Sequence, residues 1–111
     1  MAQAPNPNAN RDAVRPMVPY MVELTEKVVF GDIWERPGLN KRDRSLIVIA
    51  CLISTYRPEQ LKGHLARGLD NGLTKDEIAE VITHLAFYSG WPASMTAAKV
   101  AMGVMQERGL L

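Results

Sequence analysis

Two histidines, His64 and His84, are the only histidines of this chain, and both fall within one stretch, residues 61–93. An imidazole changes its charge near neutral pH, so a histidine can accept or deliver a proton in a reaction under ordinary conditions. A histidine at the edge of a helix is more often a packing residue with one hydrogen bond. Spacing alone favours that structural interpretation for both residues.

The stretch around the histidines predicts two helices joined by a tight turn. Asp70-Asn71-Gly72 is a helix stop, because Asn and Gly tolerate the left-handed backbone that closes a helix. Thr74 and Glu77 then have the spacing of a capping box, which begins the second helix. This helix is predicted to run to about Ser89. An antiparallel hairpin with so short a turn could bring the two imidazole rings towards one pocket.

The two histidines have different neighbours on their predicted helices. His64 lies one position from an apolar stripe of three leucines, residues 61, 65 and 69. His84 lies on one row with Glu77, Val81 and Tyr88, at spacings of three and four residues. The second row therefore gives its histidine two polar neighbours, one of them one turn away.

The rest of the chain also predicts helices. One helix is expected from Tyr20 to about Ile33, and another begins at the N-cap Asn40. Residues 46–53 are apolar on every face, which predicts a helix buried all round, with Cys51 inside the core. A last helix is expected from near Pro92 to about residue 108. The predicted fold is all-α, a compact bundle of about five helices around the central antiparallel hairpin.

The beginning of the chain has a different composition. Residues 1–10 are mostly Ala, Pro, Asn and Gln and offer almost nothing to bury. We therefore expect a disordered tail over residues 1–15 and one helical domain over residues 16–111.

Composition excludes several classes of function. The net charge is +1, with no basic block, so no nucleic-acid partner is expected. The single cysteine excludes an intrachain disulfide and a cysteine-based zinc site, and no other metal site is predicted. No signal peptide is recognisable, and the longest apolar run is too short to span a bilayer. We expect a soluble cytoplasmic protein without a membrane partner.

Two segments together resemble the carboxymuconolactone decarboxylase family. They are HLARGLDNGLTKDEIAEVITHLAFYSGWPAS, residues 64–94, and FGDIWERPGLNKRDRSLIVIA, residues 30–50. The resemblance covers the chain from about Phe30 to its end and consists of several pieces in the right order. It implies an alkylhydroperoxidase D-like helical fold and a homo-oligomer, a hexamer or a trimer.

The wider superfamily has a redox branch and a decarboxylase branch, and the residues here favour the second. The redox branch carries a Cys-x-x-Cys pair upstream of the histidine, with a glutamate further upstream. Counting back from His64, the two cysteine positions hold Arg57 and Gln60, and the glutamate position holds Ser45. A thiol peroxidase mechanism therefore has no thiol at that place.

The resemblance implies a cofactor-free decarboxylation of γ-carboxymuconolactone to β-ketoadipate enol-lactone, in the protocatechuate branch of aromatic catabolism. The guanidinium groups of Arg44 and Arg57 suit the substrate carboxylates. His64 or His84 would deliver the proton to carbon.

Three more residues complete the implied site. Tyr88 or Ser45 could donate a hydrogen bond to the lactone oxygen, and Trp34 is a further candidate for substrate contact. Each candidate also fits a structural role, for example Arg44 in a surface ion pair and Trp34 as a core aromatic. Two other functions stay open: an enzyme for another small carboxylated or lactone substrate, and a non-catalytic oligomeric module.

Overall fold

The computed structural model describes residues 8–111, and every regular element within them is a helix. The all-α prediction is thus confirmed. The chain divides into two compact units, Met1–Leu39 and Asn40–Leu111. No helix among the described residues is long and apolar enough to cross a membrane.

The first unit contains short helical segments. Helix α1 spans Ala9–Val14, and α2 spans Pro19–Leu24 and continues as a π-helix over Thr25–Phe30. A single 3₁₀ turn follows at Ile33–Glu35. The continuous helix predicted from residue 20 to residue 33 is therefore wound differently in its second half.

Helix α1 lies inside the stretch that we expected to be disordered, residues 1–15, of which residues 1–7 lie outside the described part. Ion pairs hold its end: Arg15 contacts Asp12 and Glu26, each at 2.9 Å. The contact to Glu26 joins α1 to the π-helical segment of the same unit. The prediction of disorder considered only how much apolar surface the segment can bury, and it therefore did not include such ion pairs.

The second unit consists of four longer helices. They are α3 (Lys41–Ser54), α4 (Pro58–Asp70), α5 (Lys75–Tyr88) and α6 (Trp91–Glu107). Their bounds agree closely with the start and stop signals in the sequence.

Local hydrogen bonds fix where these helices begin. The side chain of Asn40 accepts from the backbone N–H of Asp43 at 2.8 Å. Thr74 accepts from the N–H of Glu77 at 3.1 Å, and the Glu77 carboxylate accepts from the N–H of Thr74 at 3.0 Å. The predicted capping box is therefore confirmed. Before it, Gly72 adopts a φ of 107° and reverses the chain.

The four helices pack around a common core in the order α3, α4, α6, α5. The main contacts of α4 are with α3 and α6, and those of α5 are with α6 and α3. Helices α3 and α6 also touch each other across the middle. Helices α4 and α5 therefore lie at opposite corners, and their connection does not form the closely packed hairpin that we expected.

The reason lies in the turn and in the helix before it. The side chain of Leu73 in the turn is buried, with 3% exposed, and its Cδ1 atom lies only 2.9 Å from where a Cβ on Gly68 would stand. The Cδ1 atom of Ile49 is 3.0 Å from the same point. Gly68 thus allows α3 and Leu73 to approach α4 closely, and Leu73 occupies space beside the end of α4.

Helix α3 is not buried all round, contrary to prediction. Ile49 and Ile53 are buried, but Ile47 is 56% exposed and Cys51 is exposed. Within the second unit, the neighbouring helices cover only one side of α3. The expectation that Cys51 belongs to the core is therefore wrong for the single chain.

Two glycines of α4 give a matched test of this packing. We expect Gly68→Ala to destabilise the protein by about 1–3 kcal/mol, because the new methyl group overpacks the contact with Leu73 and Ile49. Gly63→Ala is the control: no atom lies within 4 Å of the new methyl group, so alanine should stabilise the helix by roughly 0.5–1 kcal/mol. Chemical denaturation of both variants measures the difference. Equal effects would contradict the close approach.

Candidate active site

His64 lies at the edge of the buried face of α4. It shares a row with Gly68 and Asn71, at spacings of four and seven residues, and is half-buried. Its Nδ1 atom is buried. Burial, and then the nearby positive charge of Arg67, lowers the pKa of His64. The imidazole is therefore mainly neutral at pH 7 and suited to accept a proton or to donate one N–H.

His84 lies in a very different environment on α5. Its side chain is exposed, and its ring centre is 4.9 Å from the ring centre of Tyr88, with the planes tilted by 44°. Tyr88 itself is 78% exposed. The predicted neighbours His84 and Tyr88 are therefore in contact at the C-terminal end of the row, and each ring restrains the orientation of the other.

Helices α3 and α5 lie side by side and form a groove. Arg42 pairs with Glu77 at one end, and the Ser54 and Ser89 hydroxyls are 2.7 Å apart at the other. Both contacts join residues 35 positions apart, so the helices run side by side in the same direction. We call the space between them the α3–α5 groove.

The walls of the α3–α5 groove are partly charged at its first end. A cavity of about 350 Å³ there is lined by Arg42 and Leu46 of α3 and by Glu77 and Val81 of α5, among others. The backbone N–H of Thr74, and after it the Arg42 guanidinium, lowers the pKa of Glu77. His84 and Tyr88 lie on the same row of α5, three and seven residues beyond Val81.

The two histidines lie on different helices, α4 and α5, which both pack against α3. His64 follows the row of Gly68, which faces Ser45 and Ile49 of α3. His84 follows the row of Glu77, which faces Arg42. The diagonal placement of α4 and α5 therefore does not gather both rings through direct packing of one helix on the other.

Ser45 has a structural contact that the sequence did not reveal. Its side chain is fully buried, and its hydroxyl accepts a hydrogen bond from the Asn71 amide at 2.9 Å. The bond ties the C-terminal end of α4 to α3, next to Gly68. Nothing in the spacing of residues 26 positions apart signals such a pair. The pair adds Asn71 to the residues around the candidate site.

The remaining predicted residues lie at several places. Arg44 is half-buried on α3, and Arg57 is exposed at the N-cap of α4, where its backbone N–H donates to the carbonyl of Leu52 at 2.8 Å.

Trp34 belongs to the first unit, is buried, and stacks on Phe30 with ring centres 5.7 Å apart. Across residues 8–111, no three His, Cys, Asp or Glu side chains are grouped so that they could hold a metal ion.

Comparison with known proteins adds independent information. A model of the carboxymuconolactone decarboxylase family matches residues 19–102, which include every candidate site residue. The 4-carboxymuconolactone decarboxylase of Acinetobacter baylyi is 40% identical over 84 residues, which cover 76% of this chain and 63% of that protein. The chain thus spans less than two thirds of the length of this relative.

Two further relatives cover more of the chain. The nitrosuccinic acid decarboxylase of Metarhizium robertsii is 32% identical over 100 residues, 90% of this chain and 69% of that protein. An uncharacterized 15.0 kDa protein of Paracoccus denitrificans is 30% identical over 112 residues, 96% of this chain and 84% of that protein.

The environment of His64 predicts a pH dependence of stability. The pKa of His64 is lowered in the folded state, so the unfolded chain binds the proton more readily. We expect wild type to lose free energy of unfolding relative to His64→Gln as the pH falls below the unfolded pKa of about 6.5. Above pH 7 the difference should be constant. Urea denaturation of wild type and His64→Gln from pH 5 to pH 8 measures the two free energies of unfolding. A difference between them that does not change with pH would contradict the burial of the imidazole.

Proposed function

The chain belongs to the carboxymuconolactone decarboxylase family, and on that premise we propose that it is a carboxy-lyase acting on a small carboxylated substrate. One observation carries the proposal: two of its relatives, 40% and 32% identical to it, are both named decarboxylases. Their substrates differ, so the resemblance supports the reaction class more strongly than any one substrate.

The first proposed substrate is γ-carboxymuconolactone, because the relative with 40% identity is a 4-carboxymuconolactone decarboxylase. When the bond to the carboxylate breaks, its electron pair flows through the ring double bond into the lactone carbonyl. A proton is then added at carbon, which gives β-ketoadipate enol-lactone and carbon dioxide. The substrate supplies its own electron acceptor, so the proposed reaction requires no cofactor.

A second candidate substrate class follows from the nitrosuccinic acid decarboxylase. In nitrosuccinic acid a nitro group stands beside a carboxylate and can take up the electron pair that decarboxylation leaves. Nitrosuccinic acid and the lactone both carry two carboxylates and one electron-accepting group. We therefore define the substrate class as small dicarboxylates with an acceptor group conjugated to the carbon that loses carbon dioxide.

We assign proton delivery to His84 in the first place. The Tyr88 ring lies beside it and restrains its orientation, and the Tyr88 hydroxyl can donate to the oxygen on which negative charge develops. His64, kept mainly neutral by its lowered pKa, can donate an N–H to the substrate or accept a proton from it.

Binding of the two carboxylates is assigned to arginines. Arg44 and Arg57 carry permanent charges and a planar fork of N–H donors that matches a carboxylate. Ser45 contributes indirectly, because its hydroxyl already accepts from Asn71 and thereby holds α3 against α4. Trp34 stays a candidate for substrate contact.

The proposed enzyme acts as a homo-oligomer, a hexamer or a trimer. Support comes from apolar side chains of the second unit that a single chain leaves uncovered, including Ile47 on α3. A non-catalytic oligomeric module is the alternative for a protein that assembles but turns over neither substrate.

The histidines provide the main test of the proposed function. We expect His84→Gln and His64→Gln each to lower the turnover number by about 100- to 10,000-fold, the usual contribution of an acid–base group. Gln106→Ala, at an exposed position near the C-terminal end of α6, is the control and should keep the wild-type rate. Release of carbon dioxide from γ-carboxymuconolactone and from nitrosuccinic acid measures the rates, with melting temperature and assembly compared for every variant.

Other outcomes have definite meanings. Equal rates in wild type and both histidine variants would remove the histidines from the mechanism. A wild-type protein without activity on either substrate would contradict the proposed substrates and favour the non-catalytic module.

Cys51 provides a separate test of the reaction class. Because the thiol is exposed and forms no Cys-x-x-Cys pair, Cys51→Ala should change the free energy of unfolding by less than about 0.5 kcal/mol. Activity should stay within a few-fold of wild type. A large loss of rate in a well-folded variant would instead indicate thiol chemistry.

A further inference from the structure

We propose that a second copy of this chain covers an exposed aromatic face at the junction of α5 and α6, and that this contact completes the reaction site beside His84. We define the aromatic face as His84, Phe87, Tyr88, Trp91 and Met95. The part of the proposal that concerns the reaction rests on the proposed function. The part that concerns association does not.

The aromatic face exposes an unusual amount of apolar surface. Phe87 is 74% exposed, Tyr88 78%, Trp91 57% and Met95 54%. Since an aromatic side chain has roughly 150–250 Å² of surface, the exposed parts of these four residues amount to about 500 Å². The largest apolar patch on a typical monomer is about 300–600 Å² and commonly marks a binding site.

The rings of the face are already ordered in the single chain. Phe87 and Trp91 meet edge to face with ring centres 5.3 Å apart, and His84 and Tyr88 lie 4.9 Å apart. Side chains that their neighbours hold in place lose little conformational freedom when a partner binds. Ordered aromatic side chains are also the residues that contribute most to binding at protein interfaces.

The sequence around the face carries no formal charge. Residues 81–98 contain no Asp, Glu, Lys or Arg, although much of this stretch is exposed. Depletion of charge together with enrichment in aromatic residues and Met is the composition of the core of a protein interface. Solvated surfaces of monomeric proteins usually show the opposite composition.

The absence of charge favours a second copy as the occupant. In a two-fold contact the same surface meets itself, so any charged residue near the axis would face its own copy and repel it. An uncharged face avoids this penalty. The estimated 500 Å² is also more than half of the roughly 800 Å² that each partner buries in a stable complex. A membrane surface fits less well, because interfacial helices that bind lipid carry Lys or Arg beside their apolar face.

The same contact would change the surroundings of the proposed proton donor. In the single chain His84 and Tyr88 are exposed, and negative charge that develops beside them would be screened by water. A second copy that covers Phe87 and Trp91 would add a wall beside His84 and exclude water, which strengthens hydrogen bonds to the developing charge. We infer that one chain contributes His84 and Tyr88 and the other chain the cover over them.

A charge placed on the aromatic face tests the association. Phe87→Glu and Met95→Glu each put a carboxylate where it would face its own copy. Gln106→Glu, at an exposed position of α6 eleven residues beyond Met95, adds the same charge at the other end of that helix. Sedimentation velocity at micromolar concentration should show wild type and Gln106→Glu assembled, and the two face variants in a smaller species, with unchanged helical circular dichroism.

Trp91 provides a measurement on the wild-type protein itself. It is 57% exposed in the single chain, whereas the other tryptophan, Trp34, is buried. If a second copy covers the face, dilution through the assembly transition should increase the quenching of tryptophan fluorescence by acrylamide. This result does not depend on whether any variant folds.

Activity then tests the completion of the site. At a concentration where wild type is assembled, Phe87→Glu should have a turnover number at least about tenfold lower than that of wild type. The decrease in turnover should follow the decrease in the assembled fraction. A face variant that is smaller but fully active would overturn the completion of the site. Unchanged assembly in both face variants, a monomeric wild type, or no change in quenching on dilution would overturn the interface.

Failure of the proposed function gives a different pattern. In that case wild type is inactive on both substrates, while sedimentation and quenching still report on the aromatic face. The two proposals can therefore fail separately.

Discussion

The close approach of α3 to α4 at Gly68 is the contact on which the second unit depends. Without a Cβ at this position, Ile49 of α3 and Leu73 of the following turn both reach the surface of α4. The hydrogen bond from Asn71 to Ser45 fastens the same junction. Helix α5 also contacts α3, but its main contact is with α6. Helices α4 and α5, which carry the two histidines, lie diagonally in this arrangement.

Helix α3 consequently serves as the common support of the candidate site. The row of His64 faces it from α4, and the row of His84 faces it from α5, although the two environments differ strongly. Burial and a neighbouring guanidinium lower the pKa of His64, while His84 is exposed beside Tyr88. Two side chains of one type can thus take different parts in a reaction, and their surroundings rather than their spacing assign the parts.

The proposed reaction requires few chemical groups from the protein. Because the substrate contains its own electron acceptor, the protein has only to bind two carboxylates, to stabilise a developing negative charge and to deliver one proton. The second unit carries the arginines and histidines that we assign to these tasks, and His84 is exposed in the single chain. In our proposal the aromatic face of the α5–α6 junction supplies the missing enclosure when two copies meet, so that assembly and activity depend on the same surface.

The sequence alone determined the features that depend on neighbouring residues. The caps at Asn40 and Thr74, the left-handed Gly72 and the helical class were all predictable, because they arise from interactions within a few positions. The absence of cysteine at positions 57 and 60 likewise follows directly from the sequence. Only the tertiary structure decided that Cys51 is exposed, that Ser45 binds Asn71, and that the two helices carrying the histidines lie diagonally. These features depend on which flank of a helix a distant segment covers, and the periodicity of one helix carries no information about its partner.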